Sequence, residues 1–173
     1  MCKQKATKTD RLTSTEAGEF MWDMADATET HRYVGPVLLE WLHDLRPSRT
    51  LDLGCGNGAL TACLAPIAGK IVGMDMSESG IRIAQGKYPQ VVYFRNSMEV
   101  SLPQEHRGAY DLVVATEVIE HLFRPRALLD RAKEALKPGG YIIVTAPYHG
   151  YWKNLALALT GKFDEHWHPL RDY

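Results

Sequence analysis

The sequence predicts a doubly wound α/β domain, in which helices cover both faces of a mostly parallel sheet. Short β-branched runs alternate with helical patterns along the chain, and a glycine-rich turn follows the first of these runs. Such runs indicate strands buried on both faces, as in parallel sheets. Of the 173 residues, 45% are hydrophobic and 24% are charged, a balance typical of one globular domain.

The expected elements follow in order along the chain. Helical spacing of apolar residues predicts a first helix over 19–44, and strands are predicted at 50–53, 70–75, 91–95, 111–115 and 141–145. Pro66 ends the second helix, Ser77 is the expected N-cap of the third, and Pro125 begins the fourth. The segment 137–140 is expected to form a turn. Residues 1–18 are assigned to a flexible arm and residues 19–173 to the domain.

The strongest motif is the loop after the first strand, Asp52-Leu53-Gly54-Cys55-Gly56-Asn57-Gly58. Alternating glycines allow the backbone to bend sharply and to approach a ligand closely. A dinucleotide fingerprint would place its third glycine at position 59, which is Ala59 here. The spacing therefore favours a nucleoside without a pyrophosphate, and Asp52 is a candidate acceptor for a charged amino group. A tight turn without a ligand is the alternative.

The second strand ends in a carboxylate, Asp75, which is predicted to accept the two ribose hydroxyls of a nucleoside across the strand tips. Its alternative role is to cap the next helix, although Ser77 is the better cap. Met76 follows and offers a soft apolar surface to an adenine ring.

Four motifs together resemble the class I S-adenosylmethionine-dependent methyltransferases, which have a Rossmann-like fold. They are Leu51–Gly58, Gly73–Asp75, Tyr110–Leu122 and Leu136–Pro147. The resemblance implies that Gly54, Gly56 and Gly58, with Cys55 between them, contact the methionine part of S-adenosylmethionine, with S-adenosylhomocysteine as the product. It also implies that Asp75 binds ribose and that Ser97 and Met98 flank adenine. Ser97 departs from the family, which often has an acid there, and a hydroxyl accepts more weakly than a carboxylate.

The segment after the fourth strand carries Glu117, Glu120 and His121, at i, i+3 and i+4. If the segment is helical, all three side chains project from one face and are candidate ligands for a divalent metal. The segment is similar to that of metal-assisted O-methyltransferases, including the ubiquinone-biosynthesis type; in the small-RNA type a further histidine completes the site, and His166 or His168 is a candidate. The alternative places Glu117 near the cofactor and His121 at the substrate, as the catalytic residue.

The resemblance implies transfer of a methyl group to a small-molecule acceptor, and an oxygen nucleophile is favoured. A module that binds S-adenosylmethionine or S-adenosylhomocysteine without transfer is the second hypothesis. A dinucleotide oxidoreductase is the third, and Ala59 argues against it.

The charge and composition of the chain indicate where the protein is located and which partners it is not expected to attract. The formal net charge of -1 gives no global field that would attract nucleic acid or an anionic membrane. No apolar run approaches the roughly 18 residues of a membrane span, and the N-terminus does not resemble a signal peptide. The odd cysteine count favours free thiols in a reducing compartment. We therefore expect a cytoplasmic protein.

The number of strands is smaller than the resemblance implies. The family sheet has seven strands, whereas this sequence shows five. The fifth would then have an exposed apolar edge, which natural proteins avoid. We expect either a fragment of a longer protein or a homodimer that covers this edge.

Overall fold

The computed structural model describes residues 13–14, 20–21, 29–148 and 150–161. Two short strands, β1 (Thr13–Ser14) and β2 (Phe20–Met21), pair antiparallel. The central sheet is formed by β3 (Arg49–Leu53), β4 (Lys70–Asp75), β5 (Val92–Arg95), β6 (Tyr110–Thr116) and β7 (Leu136–Thr145). Its order is β5-β4-β3-β6-β7, and all neighbouring strands are parallel.

Helices cover both faces of this sheet, which confirms the doubly wound α/β prediction. The helices are α1 (Glu29–Leu45), α2 (Ala59–Leu64), α3 (Glu78–Lys87), α4 (Pro125–Ala135) and α5 (Tyr151–Leu159). One core cluster joins α1, α2 and α3 to one sheet face. A second cluster joins α4 to the other face, where Leu51, Leu53 and Val113 are fully buried. The apolar runs thus became central strands because both of their faces are packed.

The helix boundaries follow the local signals in the sequence. The Ser77 hydroxyl accepts a hydrogen bond from the backbone N–H of Gly80 at 3.1 Å, so Ser77 is the N-cap of α3. Pro125 is the first residue of α4, where its fixed φ suits the helix and its missing N–H is not needed. Helix α2 ends at Leu64, before Pro66.

One local expectation is wrong: Phe20–Met21 is a strand, not the beginning of a long first helix. The segment 137–140 lies inside the bounds of β7 but is not paired with β6, because the pairing passes from Tyr110↔Leu136 to Leu112↔Tyr141. Gly139 has a φ of 80°, the positive value that the expected turn requires, so the turn forms a bulge within the strand. Cys55 is a free buried thiol.

The amino ends of β3, β6 and β7 are tied together by one carboxylate. Asp111 accepts hydrogen bonds from the backbone N–H groups of Ser48 (3.1 Å) and Arg49 (2.9 Å) and from Lys137 Nζ (2.7 Å). The hydrogen bond from Lys137 is the main cause that lowers the Asp111 pKa below its usual value. This end of the sheet is occupied by structural contacts.

Two expectations remain predictions. The domain boundary at residue 18 is one, since most of the preceding stretch lies outside the described residues. Cytoplasmic location is the other. Among the helices in the described part of the chain, none combines the length and apolar character that a bilayer crossing requires.

Strand β7 pairs only with β6 among the described residues, and it exposes apolar side chains. Tyr141 is 62% exposed and Val144 is 37% exposed. A strand edge of this kind is a template for pairing with another chain. Self-association through β7 therefore stays a prediction.

Sedimentation measurements test this prediction. We expect a dimer for the unmodified chain and a monomer for Val144→Lys, because a lysine on an edge strand opposes pairing. Val92→Lys is the matched control, since Val92 is an exposed valine on β5, the opposite edge strand; it should leave the dimer intact. A monomer at every concentration of the unmodified chain would refute self-association.

Candidate functional site

The predicted site residues lie mostly where strands β3, β4 and β6 end. In a parallel sheet the carboxyl ends of neighbouring strands meet at one edge, where ligands of such folds bind. The loop after β3, the tip of β4 and the turn after β6 are therefore neighbours. Asp52 on β3 is in register with Gly73 on β4 and with Val114 on β6.

The glycine loop is held against the end of β4 by its own backbone. The N–H groups of Gly54 and Cys55 donate to the carbonyl oxygen of Met74 at 2.7 and 3.0 Å. Gly54 has a φ of 84° and Gly58 a φ of 77°, values that L side chains rarely adopt. A Cβ atom at Gly54 would collide with the side chain of Val118, which follows β6. Two of the glycines are therefore required both by backbone conformation and by close packing.

Asp75 joins the glycine loop to the beginning of α3. Its Oδ2 accepts a hydrogen bond from the N–H of Gly56 at 2.8 Å, and its Oδ1 accepts one from the N–H of Ser77 at 2.7 Å. Asp75 is only partly buried, and a carboxylate is a strong hydrogen-bond acceptor. The side chain orders the helix entry, which was its alternative role, and its predicted contact with ribose stays a prediction.

Asp52 lies beneath the loop and is only 2% exposed. Its Oδ2 accepts a hydrogen bond from the Thr61 hydroxyl at 2.6 Å. Burial raises the Asp52 pKa to about 6, the Thr61 hydrogen bond lowers it, and the charge of Asp75 raises it further. Reception of an amino group by Asp52 remains a prediction.

The other predicted cofactor residues divide into buried and accessible ones. Cys55 belongs to the core cluster with Tyr93, and burial, followed by the charges of Asp75 and Asp52, raises the pKa of its thiol. Met98 is 8% exposed and packs in the core cluster on the α4 face. Met76 is 46% exposed beside Asp75.

Ser97 does not point freely outward. Its hydroxyl accepts a hydrogen bond from the N–H of Glu99 at 3.2 Å, within its own turn. The adenine roles of Ser97 and of its neighbour Met98 remain predictions.

The segment after β6 is not the expected helix. Glu117 has a left-handed backbone with a φ of 55°, and a short 3₁₀ turn spans Ile119–His121. The prediction that Glu117, Glu120 and His121 share one helical face is therefore wrong. Val118 packs against Gly54, and this contact turns the chain away from helical geometry directly after the strand.

Glu120 and His121 remain close to each other, with His121 Nε2 3.9 Å from Glu120 Oε1. Burial is the main cause that raises the Glu120 pKa, and the charge of Glu117 raises it as well, whereas the charge of His121 lowers it. Within the residues that the structure describes, no group of three His, Cys, Asp or Glu side chains is arranged to hold a metal ion. His166 and His168 lie outside the described residues.

Two residues that form hydrogen bonds with the predicted site residues were not identified from the sequence. The Thr61 hydroxyl binds Asp52, and the Thr145 hydroxyl donates to Glu117 Oε1 at 2.8 Å. Thr61 is nine residues from Asp52 and Thr145 is 28 residues from Glu117. The only available signal was that Thr145 ends a predicted strand at the carboxyl edge of the sheet.

Comparison with known proteins gives a family match over most of the chain. The profile of a family described as a methyltransferase domain matches residues 27–171. A ubiquinone biosynthesis O-methyltransferase from Albidiferax ferrireducens is 28% identical over 148 residues, covering 81% of this chain and 58% of the relative. Its counterpart from Bordetella avium is 31% identical, covering 70% of this chain and 53% of that relative. The chain thus spans little more than half the length of these curated relatives.

Solved structures share the fold at low sequence identity. An amino pentose methyltransferase from Micromonospora echinaspora, solved with S-adenosylmethionine, superimposes with a TM-score of 0.60 at 20% identity, covering 70% of this chain and 52% of that one. An N-methyltransferase from Bradyrhizobium japonicum, solved with S-adenosylhomocysteine, gives 0.57 at 24% identity, covering 69% and 63%. These matches show the Rossmann-like fold of class I methyltransferases.

The buried Asp52 predicts a specific pH dependence of stability. Its pKa is raised from 3.8 to about 6 in the folded state, so its contribution is fully present below 3.8 and is lost as pH rises through about 6. This difference in pKa between the unfolded and folded states corresponds to at most about 3 kcal/mol in the free energy of unfolding. Urea unfolding across this range should show the unmodified chain losing stability relative to Asp52→Asn.

Asp130→Asn is the control, because Asp130 is an exposed acid on α4. Its stability should follow that of the unmodified chain at every pH. Parallel curves for the unmodified chain and Asp52→Asn would show that the Asp52 carboxylate is not destabilised by burial.

Proposed function

The chain belongs to the methyltransferase domain family, and from this premise we propose that it binds S-adenosylmethionine and transfers the methyl group to a small molecule. The observation that carries the proposal is the position of Asp75. Its carboxylate is fixed between the glycine loop and the beginning of α3 by two backbone N–H groups. It is therefore preorganised at the edge of the sheet where a nucleoside would lie.

The residues around Asp75 fit such a nucleoside. The Asp75 carboxylate is an acceptor that is only partly buried, and the two ribose hydroxyls are neighbouring donors. Met76 exposes a polarizable thioether next to the carboxylate and can contact a flat ring. Gly54 and Gly58 leave the loop surface without side chains, so the backbone can approach a ligand.

The chemistry demanded of the protein is mainly alignment. When bound, the sulfonium cofactor supplies a methyl group that is already activated for nucleophilic attack. The residues at the strand tips then need to hold the acceptor in line and to exclude water. For a hydroxyl acceptor, His121 is the residue we propose to receive the proton, since it lies in the turn after β6 with Glu120 beside it.

An oxygen nucleophile is the acceptor class that we favour. Support comes from the printed function of the curated relatives, ubiquinone biosynthesis O-methyltransferases, at 28% and 31% identity. The second candidate is a module that binds the cofactor without transfer. It is supported by Ser97, a hydroxyl at a position where the family often has an acid. A radiolabelled-methyl assay against phenols, acids and amines separates the two.

Calorimetric titration with S-adenosylhomocysteine tests cofactor binding. We expect one site per chain and at least a tenfold weaker affinity for Asp75→Ala, about 1.4 kcal/mol, because a ribose acceptor is lost. Asp130→Ala, an exposed acid on α4, is the matched control and should bind as the unmodified chain does. Binding of NAD in place of S-adenosylhomocysteine would contradict the proposal.

The metal hypothesis has its own test. Glu120 and His121 are adjacent, and Glu117 lies just before them, so a divalent cation would have to draw the three together. In that case magnesium or manganese should stimulate methyl transfer, and Glu120→Gln should reduce the stimulation. Transfer that persists unchanged after exhaustive chelation would rule the hypothesis out.

A further inference from the structure

Thr145, the last residue of β7, makes a two-way hydrogen-bonded contact with Glu117. Its hydroxyl donates to Glu117 Oε1 at 2.8 Å and accepts from the Glu117 backbone N–H at 3.2 Å. The same N–H lies 3.3 Å from the Thr145 carbonyl oxygen. One side chain therefore fixes both the backbone and the carboxylate of Glu117.

This contact holds a conformation that Glu117 would not adopt by itself. A left-handed backbone at a non-glycine residue costs on the order of 1–2 kcal/mol, and Glu117 has a φ of 55°. Such conformations persist only where the surroundings impose them, and they concentrate at functional sites. The tie to Thr145, with the packing of Val118 on Gly54, supplies that constraint.

The backbone of Glu117 follows the strand that lies next to the glycine loop. Asp52 is in register with Val114, so the loop residue Gly54 and the strand end at Thr116 are lateral neighbours. Glu117 follows Thr116 directly. Glu117 thus stands at the tip of β6, between the glycine loop after β3 and Thr145 on β7. Asp52 is buried beneath the loop, whereas Glu117 is only partly buried and its Oε2 is a second acceptor atom.

A second feature at these strand tips also calls for a polar ligand. Thr116 is paired in register with Thr145. Its hydroxyl oxygen is buried and has no hydrogen-bond partner within the described part of the chain. A buried polar atom left unpaired is unusual and indicates water or a ligand nearby.

From these contacts we infer that Thr145 is a positioning residue that aims the Glu117 carboxylate at the ammonium group of the cofactor's amino-acid part. The inference rests on the proposed binding of S-adenosylmethionine and names the residue pair that would read its amino-acid end. A carboxylate suits the ammonium group, because opposite charges attract most strongly where water is partly excluded.

The test compares two ligands that differ in this group. S-adenosylhomocysteine carries the amino-acid part, whereas methylthioadenosine carries the nucleoside without it. Thr145→Val should weaken S-adenosylhomocysteine binding about tenfold in calorimetry and leave methylthioadenosine unchanged. Thr145→Ser keeps the hydroxyl and should restore affinity. Thr160→Val, at the exposed end of α5, should affect neither ligand.

A double-mutant cycle with Glu117→Gln separates positioning from simple structural support. If Thr145 acts through Glu117, the double variant should bind S-adenosylhomocysteine no more weakly than Glu117→Gln alone. Equal losses for both ligands, or additive losses in the cycle, would overturn the inference while leaving cofactor binding intact. An unmodified chain that binds methylthioadenosine and S-adenosylhomocysteine equally would also overturn it. A chain that binds neither ligand would instead refute the proposed function.

Discussion

The carboxylate of Asp75 is the contact on which the geometry of the site depends. It accepts the N–H of Gly56 on one oxygen and the N–H of Ser77 on the other, and so connects the glycine loop to the entry of α3. The loop after β3 cannot move relative to the tip of β4 without breaking one of these charge-assisted hydrogen bonds. The site is therefore shaped before any ligand arrives, and a ligand that binds there meets an oriented carboxylate.

The two ends of the sheet differ in the contacts that their polar groups make. At the amino ends, Asp111 accepts hydrogen bonds from Ser48, Arg49 and Lys137, and these contacts fix the strands. At the carboxyl ends, two residues at the tip of β6 differ from this pattern. Thr116 has a buried hydroxyl without a partner among the described residues, and Glu117 is held in a strained backbone. A strained backbone at Glu117 and an unpaired buried hydroxyl at Thr116 are typical of functional sites, where a ligand can supply the missing hydrogen bond.

The strand pattern, the cap at Ser77 and the glycine spacing could be predicted because each depends on neighbours in sequence. The geometry after β6 could not, because the i, i+4 spacing of Glu117 and His121 presumes a helix. In the structure, Val118 must instead pack against Gly54, which is distant in sequence. The hydrogen bond between Thr145 and Glu117 joins residues that are 28 positions apart, so no periodic pattern in the sequence indicates it. The turn residues at 137–140 could be predicted, since Gly139 adopts a positive φ, but the pairing of Leu136 with Tyr110 that places the turn inside β7 could not.

The most direct test of this account is a crystal structure of the chain with S-adenosylhomocysteine. We expect both ribose hydroxyls to lie within hydrogen-bond distance, about 3 Å, of the Asp75 carboxylate, with the glycine loop still bonded to Asp75 through the Gly56 N–H. A nucleoside bound elsewhere, or an Asp75 side chain that contacts only Gly56 and Ser77 while the ribose is held by other residues, would contradict it.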